Sequence, residues 1–158
     1  MGKAPFWKTK HLSELSPEEW ESLCDGCGRC CLEKLDDGTG EVREIAVSCP
    51  YLDLKTCRCE IYEARTTVNP QCIQLTPQNV TTIAWLPLTC AYRIVAHGGD
   101  LESWHRLVSG DPDAVHEAGI SVRNKAVDGK FIHPDDIRRP GQNGRPLRGH
   151  RGKRRIKL

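Results

Sequence analysis

Aromatic residues make up only 6% of this 158-residue chain, and long apolar runs are missing as well. So few large side chains give a modest core, and with 28% charged residues that core gains from reinforcement other than apolar packing. The longest apolar stretch, Ile83 to Tyr92, is broken by Pro87 and is about half of the roughly 20 residues a membrane-spanning helix needs. The opening MGKAPFWKTKHLSEL is charged and lacks the apolar segment of a secretory signal. These absences predict a cytoplasmic protein with no membrane role. A phosphate-binding G-x-x-x-x-G-K-[ST] loop, a dinucleotide fingerprint and a G-x-S-x-G elbow are all missing, so phosphate-loop and serine-hydrolase chemistry have no basis here. His116-Glu117 opens no H-E-x-x-H, none of the six histidines stands at a zinc-finger offset from a cysteine pair, and no catalytic constellation emerges.

Acidic residues are missing from one region only. Residues 138–158 hold nine of the 23 Lys and Arg and none of the 21 Asp and Glu, which leaves the preceding 137 residues with a net charge of −7. An acidic body therefore carries a basic tail, expected to be disordered on its own. Such a tail can neutralise phosphates of nucleic acid or meet an acidic partner, although it lacks interleaved aromatics for base stacking.

Cysteine is what the chain has in excess. Cys24, Cys27, Cys30 and Cys31 crowd into CDGCGRCC, Cys49, Cys57, Cys59 and Cys72 follow, and Cys90 is the ninth. An odd number cannot all pair within one molecule, and clustered cysteines in a reducing compartment bind metal or do redox work more often than they staple a fold. A tetrahedral zinc site takes four ligands, commonly from C-x₂₋₄-C pairs, so the first eight thiols suit two ions or one polynuclear cluster. Neighbouring side chains diverge by about 100° on a helix or 180° on a strand, so Cys30 and Cys31 are expected to serve different metals or to bridge two. Two divalent ions with four thiolates each leave about four units of negative charge, which Arg29, Lys34, Lys55 and Arg58 are placed to offset. Zinc and iron both accept thiolate. Cys31 interrupts the spacing of a bacterial ferredoxin, which favours zinc or a non-redox iron site over an iron–sulfur electron carrier, the alternative. Cys57 and Cys59 would share a face if they stood on a strand. Cys90, read as inside an apolar helix, has a competing reading as a small core residue.

Around the cysteines the pattern predicts an α+β domain over residues 1–137, with the metal centre mainly in 24–72 and a helical layer in 76–137. Ser16, Pro17 and Glu19 form a capping-box start, flanked by Leu15 and Trp20, for a helix that delivers Cys24. Gly26 and Gly28 permit a tight turn beyond it. A turn over 36–40 precedes a strand over 41–47. Ile61 and Tyr62 are expected to anchor the following loop in the core. Thr76-Pro77 resembles a helix start, 89–97 a helix stopped by Gly98-Gly99, Asp100 a cap for a helix through Leu101, Trp104, Leu107 and Val108, and 120–127 a strand. His97 is expected at the helix-end carbonyls and His105 as a surface or packing residue.

The sequence also resembles the CxxCxxCC cysteine-cluster family of bacterial zinc- or iron-chelating proteins, in particular its YcgN-like branch. CDGCGRCC, KTCRCEIYEAR and WLPLTCAYR, in this order, carry the resemblance over roughly residues 6–130. It implies metal chelation through the cysteine cluster and no particular reaction. The chain departs from the broader family's I-Y-x-x-R-P-x-x-C, because Arg65 is followed by Thr66 and Cys72 comes later. The basic tail is not part of the resemblance.

Overall fold

The computed structural model describes residue 2 and residues 4–36, 38–133 and 135–136. The expected disordered tail, 138–158, lies outside the described residues. The fold is α+β, built from short helices and two two-stranded antiparallel sheets. Two compact units are formed, each from two separate stretches: the residues through Cys27 with Thr66–Ile120, and Gly28–Arg65 with the residues after Ile120.

The first unit begins with α1 (Phe6–Thr9) and α2 (Pro17–Ser22). The capping box of α2 is complete: Ser16 Oγ accepts the Glu19 N–H at 3.2 Å, and Glu19 Oε2 accepts the Ser16 N–H at 2.9 Å. Leu15 and Trp20 both pack on a buried cluster of Leu23, Val80, Leu86, Ala91, Tyr92, Val95 and Leu101. The Trp20 ring lies 4.6 Å from that of Tyr92, and its indole N–H donates to the Leu75 carbonyl at 3.3 Å. The polar tip of this large side chain is thus satisfied where its body is packed.

Further along this unit the helices are shorter than the sequence pattern implies. Thr76 and Asn79 exchange a reciprocal cap, Asn79 N–H to Thr76 Oγ1 at 3.2 Å and Thr76 N–H to Asn79 Oδ1 at 2.8 Å, but only turns follow. α4 (Ala91–Ala96) begins two residues later than expected, and Cys90, at φ −63° and ψ 121°, is its N-cap and not an interior residue. His97 is its C-cap, and the N–H groups of Gly98 and Gly99 close the end on the carbonyls of Val95 and Ile94. Asp100 caps no long helix. Its carboxylate is occupied by the Trp7 indole at 3.0 Å and Lys8 at 2.5 Å, while His105 caps the short α5 (Arg106–Ser109) instead. α6 (Ala114–Glu117) buries Val115.

In the second unit β1 (Leu32–Asp36) pairs with β2 (Val42–Ser48), and an irregularity between Leu32 and Lys34 shifts the register. The strand expected over 41–47 is therefore present, displaced by one residue, after a turn in which Gly38 N–H donates to Asp36 Oδ1 at 2.8 Å. β3 (Leu52–Asp53) and β4 (Arg58–Cys59) form a small hairpin that the pattern did not reveal. Leu32, Leu52, Cys57, Val122 and Ala126 make the buried cluster. Residues 120–127 are not a strand. Asn124 takes a left-handed φ of 62°, Lys125 and Ala126 both bond back to the Val122 carbonyl, and only Val127 bridges to Val47. Tyr62 is 41% exposed and lies beneath the Arg65 guanidinium, 3.8 Å from its ring centre, so cation–π contact replaces the expected core anchorage. α3 (Arg65–Val68) lies where the chain leaves this unit.

The capping box yields a direct expectation. Ser16→Ala should lower stability by about 1 kcal/mol, read as a reduced urea midpoint at unchanged slope; an unmoved midpoint would show that the cap contributes nothing.

Candidate metal centre

All nine cysteines carry thiols, with no disulfide among the described residues. The two units divide them. Cys24, Cys27, Cys72 and Cys90 belong to the first, and Cys30, Cys31, Cys49, Cys57 and Cys59 to the second. Among the described residues no three Cys, His, Asp or Glu side chains stand converged as a ready coordination sphere. What the fold supplies is membership of one unit or the other and a set of supporting groups.

In the first unit α2 ends at Ser22 with Leu23 as its C-cap, and the Cys24 N–H still bonds to the Glu21 carbonyl at 3.3 Å, so the helix delivers this thiol as its sequence predicts. Leu23 is fully buried, and so is His105, whose Nε2 meets the Leu23 carbonyl at 2.9 Å. His105 Nδ1 accepts the Leu107 N–H at 3.1 Å, so Nε2 is the protonated nitrogen and donates. Both ring nitrogens are thus engaged in holding the segment that leads into Cys24. Burial pulls the His105 pKa below the ordinary histidine value of 6.5, against the opposing Leu23 carbonyl and Asp25. Asp25 itself is 7% exposed, and its Oδ1 accepts the Cys27 N–H at 2.9 Å, closing the CDGC turn. Cys24 and Cys90 pack on the same apolar cluster, as does Leu75, three residues beyond Cys72.

In the second unit Gly28 adopts φ +74°, and a Cβ there would lie 2.8 Å from Val122 Cγ2 and 3.4 Å from Cys57 Cβ. Gly28 therefore lies close against Val122 and Cys57, an approach that only glycine permits. Cys31 packs on the cluster that contains Cys57, and its carbonyl accepts the Cys49 N–H at 2.7 Å. Cys30 is exposed and Cys31 half-buried, so the neighbouring thiols differ in environment.

Cys57 closes the β3–β4 turn at φ 55°, a left-handed conformation uncommon outside glycine, so it does not share a strand with Cys59. Burial pushes its thiol above the ordinary range, while Arg123, the Val122 and Arg123 N–H groups and the Ser121 hydroxyl act in the opposite sense by favouring thiolate. Arg123 Nε is fixed on the Lys55 carbonyl at 2.6 Å. These groups around Cys57 come from 121–123, a stretch that carries no cysteine and gave no sequence signal. Of the cations expected to offset the thiolates, Lys34 is held on the carbonyls of Arg29 and Leu32 and couples electrostatically to Cys30 and Cys31, whereas Arg29 pairs with Glu44 at 3.3 Å.

The donor set is soft, with nine thiols and supporting N–H groups, and suits zinc or iron in preference to magnesium or calcium. Comparison with known proteins agrees. A UPF0260 protein of Mesorhizobium japonicum is 58% identical over 85% of this chain and 93% of its own length, and one of Granulibacter bethesdensis is 57% identical over 91% and 89%. The CxxCxxCC family, described as "Putative zinc- or iron-chelating domain", matches residues 23–91. The chain belongs to this family. A third UPF0260 relative, from Sinorhizobium fredii, is 56% identical over 86% of the chain and 88% of its own length. All nine cysteines fall inside the segment that the CxxCxxCC family matches. No solved structure matches the chain. No helix among the described residues is long and apolar enough to cross a membrane.

Two tests follow from the supporting groups. Gly28→Ala should cost at least about 1–2 kcal/mol, because the left-handed backbone penalises a Cβ even before Val122 yields; chemical denaturation reads it directly. For His105 the folded pKa lies below the unfolded one, so the unfolded chain binds the extra proton first. Stability should be whole above about pH 6.5 and decline as pH falls towards the lowered folded value. His105→Gln should be less stable at pH 7 but show a flatter profile between pH 7 and 5, and an identical slope in both proteins would exclude His105 as the source.

Proposed function

We propose that the protein binds two zinc or iron ions through its thiolates, one in each unit, in a structural, storage or delivery role in the cytoplasm. The observation that carries this reading is the division of the nine thiols, four in one unit and five in the other, inside a family described as zinc- or iron-chelating. Cys24, Cys27, Cys72 and Cys90 would hold one ion. The second would take its ligands from Cys30, Cys31, Cys49, Cys57 and Cys59, of which Cys57 has the N–H and hydroxyl donors that favour a thiolate. When bound, each ion supplies a cross-link between chain segments that are far apart in sequence, and so adds folding free energy. The proposal includes a single-domain organisation over residues 1–137.

Ligation must displace the protons of the thiols, and that of Cys57 is held more firmly than usual. The chain's own contribution is to place cations and N–H donors so that the thiolate form is tolerated when metal arrives.

Anaerobically purified full-length protein should contain about two zinc or iron ions per chain, without acid-labile sulfide. Cys90→Ser and Cys49→Ser should each lower the content to about one, and the double variant should bring it near zero. Iron with sulfide and a broad visible band would mean a cluster in place of two discrete ions, and protein purified without metal that cannot be loaded would overturn the reading.

A further inference from the structure

Asp25 stands inside CDGC, between two thiols of the first unit, and is 7% exposed. One carboxylate oxygen has its partner in the Cys27 N–H. The other, Oδ2, is fully shielded and has no hydrogen-bond partner among the described residues. A buried carboxylate oxygen left this way is costly, because an ionised carboxylate accepts at several lone-pair positions and loses water on burial.

Among the described residues no donor reaches it. His105, whose charge would couple to Asp25, already uses Nε2 on the Leu23 carbonyl and Nδ1 on the Leu107 N–H. Within the same unit Lys8 serves Asp100, Lys10 serves Glu19, Arg93 donates to the carbonyls of Ala84 and Leu86, and Arg106, whose charge acts on the same His105 ring, gives Oδ2 no hydrogen bond. A cation that arrives with its own demand for ligands would compensate the oxygen, and Cys24 and Cys27 flank Asp25 in the sequence.

We infer that Asp25 is a metal ligand: its Oδ2 joins thiolates drawn from Cys24, Cys27, Cys72 and Cys90, so the first unit holds a divalent cation, zinc or iron(II), in a mixed oxygen–sulfur site. The inference rests on the metal-binding reading above and refines it. The two centres are then chemically unlike. A carboxylate oxygen is a harder donor than thiolate, so the first site accepts iron(II) more readily than an all-sulfur sphere, and it holds a discrete ion in preference to a sulfide-bridged cluster.

X-ray absorption at the zinc edge tests this on full-length protein loaded with zinc alone. Native protein should show an oxygen shell at about 2.0–2.2 Å beside sulfur at about 2.3 Å. Asp25→Asn keeps an acceptor for the Cys27 N–H; it should lose part of the oxygen shell and bind one of its two zinc ions on the order of 10- to 100-fold more weakly in chelator competition. An all-sulfur shell in the native protein overturns the ligand role, as does an Asp25→Asn protein with unchanged oxygen shell and affinity; in both cases metal binding itself still stands. Native protein that takes up no zinc and no iron overturns both. Should Asp25→Asn fail to fold, Asp25→Glu decides. Retention of the oxygen shell and of both zinc ions upholds the carboxylate ligand, and loss of one zinc with an all-sulfur remainder overturns it.

Discussion

Among the described residues every helix has six residues or fewer and the longest strand seven, and isolated segments of that length are not stable in water. Whatever holds the thiols in place must therefore come from contacts between segments distant in sequence. Each unit meets this constraint in its own way. In the first, a buried imidazole fixes the end of α2 and one tryptophan bridges to the carbonyl of Leu75. In the second, the 121–123 stretch closes around Cys57, and Arg123 is tied to Lys55. Polar links of this kind are geometrically specific where apolar clusters of five to seven residues are not.

How much of this was legible in the sequence depended on the range of the interaction. The capping box of α2 is written in four consecutive residues and appears in the structure atom for atom. The turns at Gly26 and Gly28 follow the same rule, with φ of 77° and 74°. Asp100 reads locally as a helix cap, yet its carboxylate is taken by Trp7 and Lys8, more than ninety residues earlier, and no local pattern contains that contact. Cys90 looked interior because its neighbours are apolar, but the turn after Pro87 sets it at the helix boundary. The apolar spacing of 120–127 imitated a strand, while a left-handed Asn124 folds the stretch into a turn.

The candidate site was legible in its chemistry and not in its support. Nine clustered cysteines announce a soft-metal centre, and the family description agrees. His105 was expected as a surface or packing residue; it is fully buried, and its ring holds the segment that presents Cys24. A lone histidine more than seventy residues beyond the motif gives no signal of that kind. Asp25 had a weaker hint, as the one charged residue between the first two cysteines.

The order in which the segments meet has a consequence during synthesis. The first unit needs residues 66–120 to close around Cys24 and Cys27, and the groups that favour a Cys57 thiolate arrive only with Ser121. At about 5–20 residues per second, the ribosome takes on the order of seconds to pass from Cys57 to Ser121. For that interval the crowded thiols are already outside or near the exit tunnel without their partners. The nascent chain is then at its most exposed to oxidation and to capture of the wrong ion, so metal supply and reducing power matter most before the protein is complete.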